Sequence, residues 1–480
     1  MNRRMVLYMV GNVTKLEALL MLPGFITALV YREACAIDFL VAIGVSLAVG
    51  FFLTFVFKPS SKVFFAKEGF VIVALCWLVM SAIGALPFYL SGEIPSYIDA
   101  FFETSSGFTT TGASILTDVE SMSKGLLFWR SFTHWIGGMG VLVFIMAVIN
   151  NLSDRSIHIL RAESPGPVVG KLVPKMKQTT RILYIIYIAL TLLNIVFLLI
   201  GGMPLFESIV HAVGTAGTGG FGVKADSFAS YSPYLQWVTT IFMFIFGVNF
   251  NIYYLLLLRK FKSVLKSTEL KFYLCVIASA VVLICINIAP MFDSVGEALR
   301  HTAFQIATAM STTGYATTDF NLWPSFSKSI LFMLMFMGGC AGSTAGGFKC
   351  ARVVILVKKV RREIKKLLHP RSVTTMRFEG NSMDNQVVSS TSAYLVVYIM
   401  ILCVCFLVIS LDGFDFETNL TAAVSCVNNI GPAFGAAGPA SSYAAFSPLS
   451  KVVLSLAMLF GRLEIYPMLI ALSPSTWSKK

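Results

Sequence analysis

The chain has 480 residues, 56% hydrophobic and 13% charged, with a mean hydropathy of +0.78. Soluble domains carry roughly 25% charged residues, so an ordinary soluble enzyme and a disordered chain are both excluded. The net charge of +13 would suit nucleic acid, but 28 of the 37 basic residues fall in six places: Arg3–Arg4, Lys58–Lys67, Arg155–Arg181, Arg259–Lys271, Lys349–Arg377 and Lys479–Lys480. Alternate connections are thus basic, which is the positive-inside pattern of a multi-pass membrane protein. It predicts both termini in the cytoplasm, an even number of crossings and no nucleic-acid partner. The nine cysteines follow no metal or disulfide spacing. No small-residue cleavage site follows Arg3–Arg4, so no cleavable signal peptide is expected.

In chain order, two apolar runs (7–31 and 36–57) predict two N-terminal transmembrane helices within residues 1–57. A pattern then repeats four times, over 68–150, 179–260, 268–368 and 390–474. Each unit has a long apolar run, a half-length segment starting near an acid, a small-residue loop and a second apolar run. The acids are Asp99, Glu207, Glu297 and Glu417, placed to suit helix N-termini. The half-length segments are too short to cross a bilayer and predict re-entrant helices. Irregular backbone survives at membrane depth only where protein or water shelters it. The loops therefore predict one shared central pathway. The fold class is an all-α polytopic membrane protein, with four pseudo-symmetric helix–pore loop–helix units around one ion pore and two extra N-terminal helices.

The four loops align on one glycine each: TTTG ending at Gly112, AGTG at Gly219, STTG at Gly314 and NNIG at Gly431. A filter must replace the water around an ion with oxygen ligands, and rings of backbone carbonyls do so without fixed charge. Glycine reaches the unusual angles that such a turn needs. Thr110, Thr111, Thr218, Thr312, Thr313, Asn429 and Ile430 are the expected carbonyl donors. With one shared position per loop, fewer ordered sites and weaker selectivity than in a K+ channel are expected. A nucleotide P-loop motif does not occur. Short helices that stop before the loops aim their negative ends at the centre, which favours a cation.

The second span of unit three is interrupted by GGCAGSTAGG at 338–347. Glycine inside a helix costs roughly 1 kcal/mol against alanine, so irregular backbone is expected there. Gly338, Gly339, Gly342, Ser343, Thr344, Gly346 and Gly347 form the candidate gate, with helix–helix packing as the alternative. Arg462 lies within the last span, where a charge is costly and by default functional. It is expected to face the pore below the filter; snorkelling to the cytoplasmic edge is the alternative. Arg130 and His134 share a helix face and are expected to partner acids at the filter mouth. The basic run at 358–366 suits anionic lipid or a cytosolic partner. His158, His211, His301 and His369 show no metal-ligand spacing.

WRSFTHWIGGMG at 129–140, PKMKQTTRILYIIYIALT at 174–191, GTAGTGGFG at 214–222 and NNIGPAFG at 428–435 resemble the TrkH/TrkG subunits of bacterial Trk potassium uptake systems. These belong to a superfamily that includes KtrB, and the two N-terminal spans resemble the Trk branch. The resemblance covers essentially the whole chain. It implies inward K+ transport across the inner membrane, with K+ as cargo and no cofactor bound by the chain. It also implies a homodimer with one pore per protomer, and a cytosolic ring of TrkA-like, RCK-type nucleotide-binding subunits. It supports the gate at 338–347 and places an arginine at the position of Arg462. In the family a serine at the first filter position accompanies Na+ permeation, so Gly112 implies K+. His134 stands where the family has glutamine. A symporter coupling K+ to H+ or Na+ would show inverted repeats and a carboxylate relay, whereas these units run in one orientation and the spans hold almost no interior acids. An intramembrane hydrolase would need a nucleophile with a base, or a metal cluster, and none is visible.

Overall fold

The computed structural model of the chain describes residues 1–59, 65–140, 176–372 and 375–478. Residues 155–175 of the basic stretch with His158, the far end of the second apolar run of unit one, and Lys479–Lys480 lie outside the described residues. Helices α1 (Arg3–Tyr31) and α2 (Cys35–Val56) pack as a hairpin. Unit one holds α3 (Ala66–Gly84), α4 (Leu86–Leu90), α5 (Tyr97–Phe108) and α6 (Lys124–Gly138). Unit two holds α7 (Met176–Ile200), α8 (Leu205–Gly217), α9 (Pro233–Phe246) and α10 (Phe250–Leu257). After α11 (Phe261–Lys266), unit three holds α12 (Thr268–Ile288), α13 (Val295–Ser311), α14 (Ser325–Met337) and α15 (Cys350–Leu368). A two-residue-per-strand hairpin, β1 (Arg377–Phe378) with β2 (Asn381–Ser382), precedes unit four. That unit holds α16 (Asn385–Ile409), α17 (Phe416–Asn428), α18 (Pro448–Arg462), α19 (Tyr466–Leu472) and α20 (Pro474–Trp477).

Among the described residues, six helices are long and apolar enough to cross a membrane: α1, α2 and the first helix of each unit. The second spans of units two, three and four behave differently; that of unit one runs beyond the described residues after Gly140. Helices α9, α14 and α18 have 14, 13 and 15 residues. At 1.5 Å per residue each is about 22 Å long or less, short of the ~30 Å hydrocarbon core. A break was expected in unit three alone; units two and four break as well. Helices α9 and α10 diverge by 92°. The break at Gly247–Asn249 persists because unit three completes its hydrogen bonds. Cys340 N–H donates to Gly247 O (2.9 Å), and Phe250 N–H donates to Gly342 O (3.0 Å). Each broken backbone thus shelters the other.

The half-length segments form as helices for local reasons. Ser96, Ser294 and Asp415 accept from the N–H groups of Asp99, Glu297 and Thr418, capping α5, α13 and α17. The four expected acids all lie in first turns, where the helix dipole favours them. Two also tie units together: Asp99 pairs with Lys451 (2.7 Å) and Glu417 with Lys328 (3.0 Å). The helices run further than the composition suggests, through Ser105–Phe108 in α5 and Gly214–Gly217 in α8.

Candidate ion pathway

Just past the end of each half-length helix stands a residue in the left-handed conformation. These are Thr110, Thr218, Thr312 and Asn429, with φ of 55–56°. Two residues later stands a glycine with positive φ: Gly112 (81°), Gly220 (80°), Gly314 (90°) and Gly431 (102°). The residue between them closes the helix with the same bond every time. The N–H groups of Thr111, Gly219, Thr313 and Ile430 donate to the carbonyls of Ser106, Gly214, Thr308 and Ser425, at 2.9–3.0 Å. This repeat places loop two one residue away from the alignment above: Gly220, not Gly219, is equivalent to Gly112. Gly219 takes the place of Thr111. The two adjacent glycines made the alignment ambiguous, and the helix end at Thr218 sets it.

The four glycines meet. A Cβ built on Gly112 would collide with the carbonyl oxygen of Gly219; on Gly220, with that of Thr313; on Gly314, with that of Ile430; and on Gly431, with that of Thr111. All four approaches are within 2.6 Å. The contacts form a closed cycle, unit one to two to three to four and back to one. Only glycine satisfies both the positive φ and the close approach. Gly112, Gly220, Gly314 and Gly431 also line one cavity of about 280 Å³.

Buried polar side chains brace the loops. The Arg130 and Glu103 side chains, 4% and 0% exposed, pair at 2.5 Å. Glu103 also accepts from Ser114 Oγ (3.0 Å) and Ile115 N–H (2.9 Å), fixing the outgoing strand of loop one. The Arg130 guanidinium lies 3.6 Å from the Phe221 ring centre and donates to Gly222 O. Removing one partner of a buried pair costs about 3–5 kcal/mol. Glu103→Ala is accordingly expected to lower the thermal midpoint in detergent by many degrees. Glu103→Gln combined with Arg130→Gln is expected to lose less than the sum of the two single changes.

His134 was expected to partner an acid, but among the described residues it bonds backbone and sits against loop two. Its Nδ1 bonds Gly107 O (2.7 Å), and its Nε2 accepts from Phe221 N–H (3.3 Å). These partners assign a neutral ring protonated on Nδ1. A glutamine amide supplies one donor and one acceptor of the same kinds. His134→Gln is therefore expected to keep wild-type ion preference, while His134→Ala loses both bonds and is expected to weaken it. Competitive uptake into proteoliposomes checks both.

On the helix-end side of the ring lies 338–347, irregular as expected. Gly346 N–H donates to Thr312 Oγ1 (2.7 Å), and a Cβ there would stand 2.6 Å from Asn428 O. Asn429 Nδ2 bonds Thr111 Oγ1 (3.0 Å), joining units four and one. Arg462 donates to Thr344 O (2.7 Å) from one nitrogen, and to Gly137 O (2.5 Å) and Gly138 O (2.7 Å) from another. It thereby ties the interrupted segment to the end of α6. Glu464 pairs with Arg352 of α15. Lys349, buried at the start of α15, donates to Ala345 O.

Sequence reasoning missed Gly220, the Glu103–Arg130 pair and Lys349. It also passed over Glu17, which is buried within α1.

Residues 37–480 match the sequence profile of a family described as TrkH, cation transport protein. The chain is 33% identical to the Trk system potassium uptake protein TrkG of Escherichia coli, covering 99% of this chain and 98% of that one. It is 34% identical to the Trk system potassium uptake protein TrkH of Salmonella typhimurium, covering 95% of each. The fold is similar to the crystal structure of the potassium transporter TrkH from Vibrio parahaemolyticus, with a TM-score of 0.89, 30% identity and complete coverage of both chains.

Proposed function

Because the chain belongs to the TrkH family of cation transport proteins, we propose that it carries K+ inward through the ring formed by its four loops, with transport rather than catalysis as its role. The observation that carries this reading is the closed cycle in which each glycine packs on the next unit's carbonyl. The carbonyls of Thr111, Gly219, Thr313 and Ile430 are the proposed ion ligands, standing in for the water of a monovalent cation. Thr110, Thr218, Thr312 and Asn429 turn the chain into the ring. Gly112, Gly220, Gly314 and Gly431 let it close. K+ is cargo, and no cofactor is assigned to the chain.

The segment from Gly338 to Gly347, with Gly339, Gly342, Ser343, Thr344 and Gly346, is the proposed gate. Its support is the contact with Thr312 and Asn428 under the ring, and the Arg462 anchor on Thr344. We place the basic ends in the cytoplasm of an inner-membrane protein, by the positive-inside rule. We further propose a homodimer and a cytosolic nucleotide-binding ring that drives the gate. Helix α15 supports this second part: it begins at the gate and displays exposed Val360, Ile364 and Leu367 among lysines and arginines. The test is Rb+ uptake into proteoliposomes, with K+ and Na+ as competitors. K+ should suppress uptake at far lower concentration than Na+; equal suppression would refute the K+ assignment.

A further inference from the structure

The residue seven positions before each left-handed loop residue lies in the half-length helix behind its loop, and its chemistry differs by unit. In unit one it is Glu103, whose carboxylate holds Ser114 and Ile115. In unit two it is His211, bonded through Nε2 to Tyr231 (3.1 Å). In unit four it is Ala422. In unit three it is Gln305, 1% exposed, and neither its amide oxygen nor its amide nitrogen meets a partner among the described residues. The next turn repeats the contrast. In unit four the Ser425 hydroxyl donates to Gly431 O (2.8 Å); its counterpart in unit three, Thr308, is 4% exposed and has an unpartnered hydroxyl.

Gln305 and Thr308 are the polar residues lining a cavity of about 20 Å³, whose remaining walls are apolar and include Phe320 and Leu331 of unit three and Ile430, Pro432 and Phe434 of loop four. A site needs roughly 10–15 Å³ and two to four polar partners to hold one water, and this one offers three unpaired polar atoms. Buried polar groups left unpaired are costly, and a water at the polar corner of this cavity satisfies them. We infer that one ordered water occupies this cavity, hydrogen-bonded to the Gln305 amide and the Thr308 hydroxyl, and braces loop four against α13. Gln305 and Thr308 are thus positioning residues for the Ile430 carbonyl. They replace, through water, the direct braces that Glu103 supplies in unit one. The water site itself does not rest on the K+ assignment; the expected effect on selectivity does.

The direct experiment is an experimental density map of the full chain at a resolution that shows ordered water. Density within hydrogen-bonding distance of Gln305 and Thr308 is expected. A cavity without it, or side chains that turn to protein partners, overturns the inference. The functional arm uses Gln305→Met and Thr308→Val, both checked for folding by gel filtration. Each is expected to make Na+ a several-fold better competitor of Rb+ uptake, while Thr308→Ser, which keeps the hydroxyl, preserves the wild-type ratio. Wild-type ratios in both apolar variants would overturn the bracing role. If K+ itself proves not to be transported, the map still decides the water.

Discussion

Gly112→Ser is expected to admit Na+, lowering the preference for K+ over Na+ by tenfold or more while leaving the protein folded. Two effects add at this position. A side chain at φ 81° is disfavoured by about 1–2 kcal/mol per residue. Its Cβ would also occupy the space of the Gly219 carbonyl oxygen. The backbone of loop two must then retreat, and the ring loses its fit to one ion radius. A drop from high to modest preference needs only about 1.4 kcal/mol per tenfold, less than the strain introduced. The matched control is Gly44→Ala in α2, where an added Cβ meets nothing within 4 Å. It should leave both uptake and selectivity unchanged. Competition of Na+ and K+ against Rb+ uptake measures all three proteins.

Arg462→Ala is expected to raise K+ flux several-fold when the chain is assayed without any cytosolic partner. Arg462 supplies three charge-assisted bonds, to Thr344 O, Gly137 O and Gly138 O. Its loss frees one end of the segment under the ring and removes a positive charge from that region. A hydrogen bond to a charged group contributes about 1.5–3 kcal/mol, enough to shift a two-state gate by an order of magnitude or more. Arg462→Lys restores the charge but not the fork that reaches two elements. It should therefore lie between wild type and alanine. Unchanged flux in Arg462→Ala would remove the clamp from the account.

Much of this architecture was legible because repetition amplifies weak signals. One glycine-rich loop in a membrane protein says little, but four in phase, each after an acid-started half-length segment, specify a shared axis. The first helices of the units were legible from hydropathy alone, since long apolar runs have few alternatives. The breaks in units two and four were not. Gly247 and Asn249 interrupt an otherwise apolar run, and what keeps that backbone open is a set of bonds from Cys340 and Gly342, about ninety residues away. Loop two was misaligned by one residue because Gly219 and Gly220 are chemically identical on the page. Only the turn at Thr218 distinguishes them. Arg130 was expected to meet an acid at the filter mouth; its partner proved to be Glu103, inside α5, which hydrophobic patterning had no reason to single out.

Crystals of the protein grown in Rb+ test the central claim most directly, by locating the ion in an anomalous difference map. A peak on the axis enclosed by the carbonyls of Thr111, Gly219, Thr313 and Ile430 is the predicted result. A map with no ion there, or with the ion bound away from those four oxygens, would contradict it.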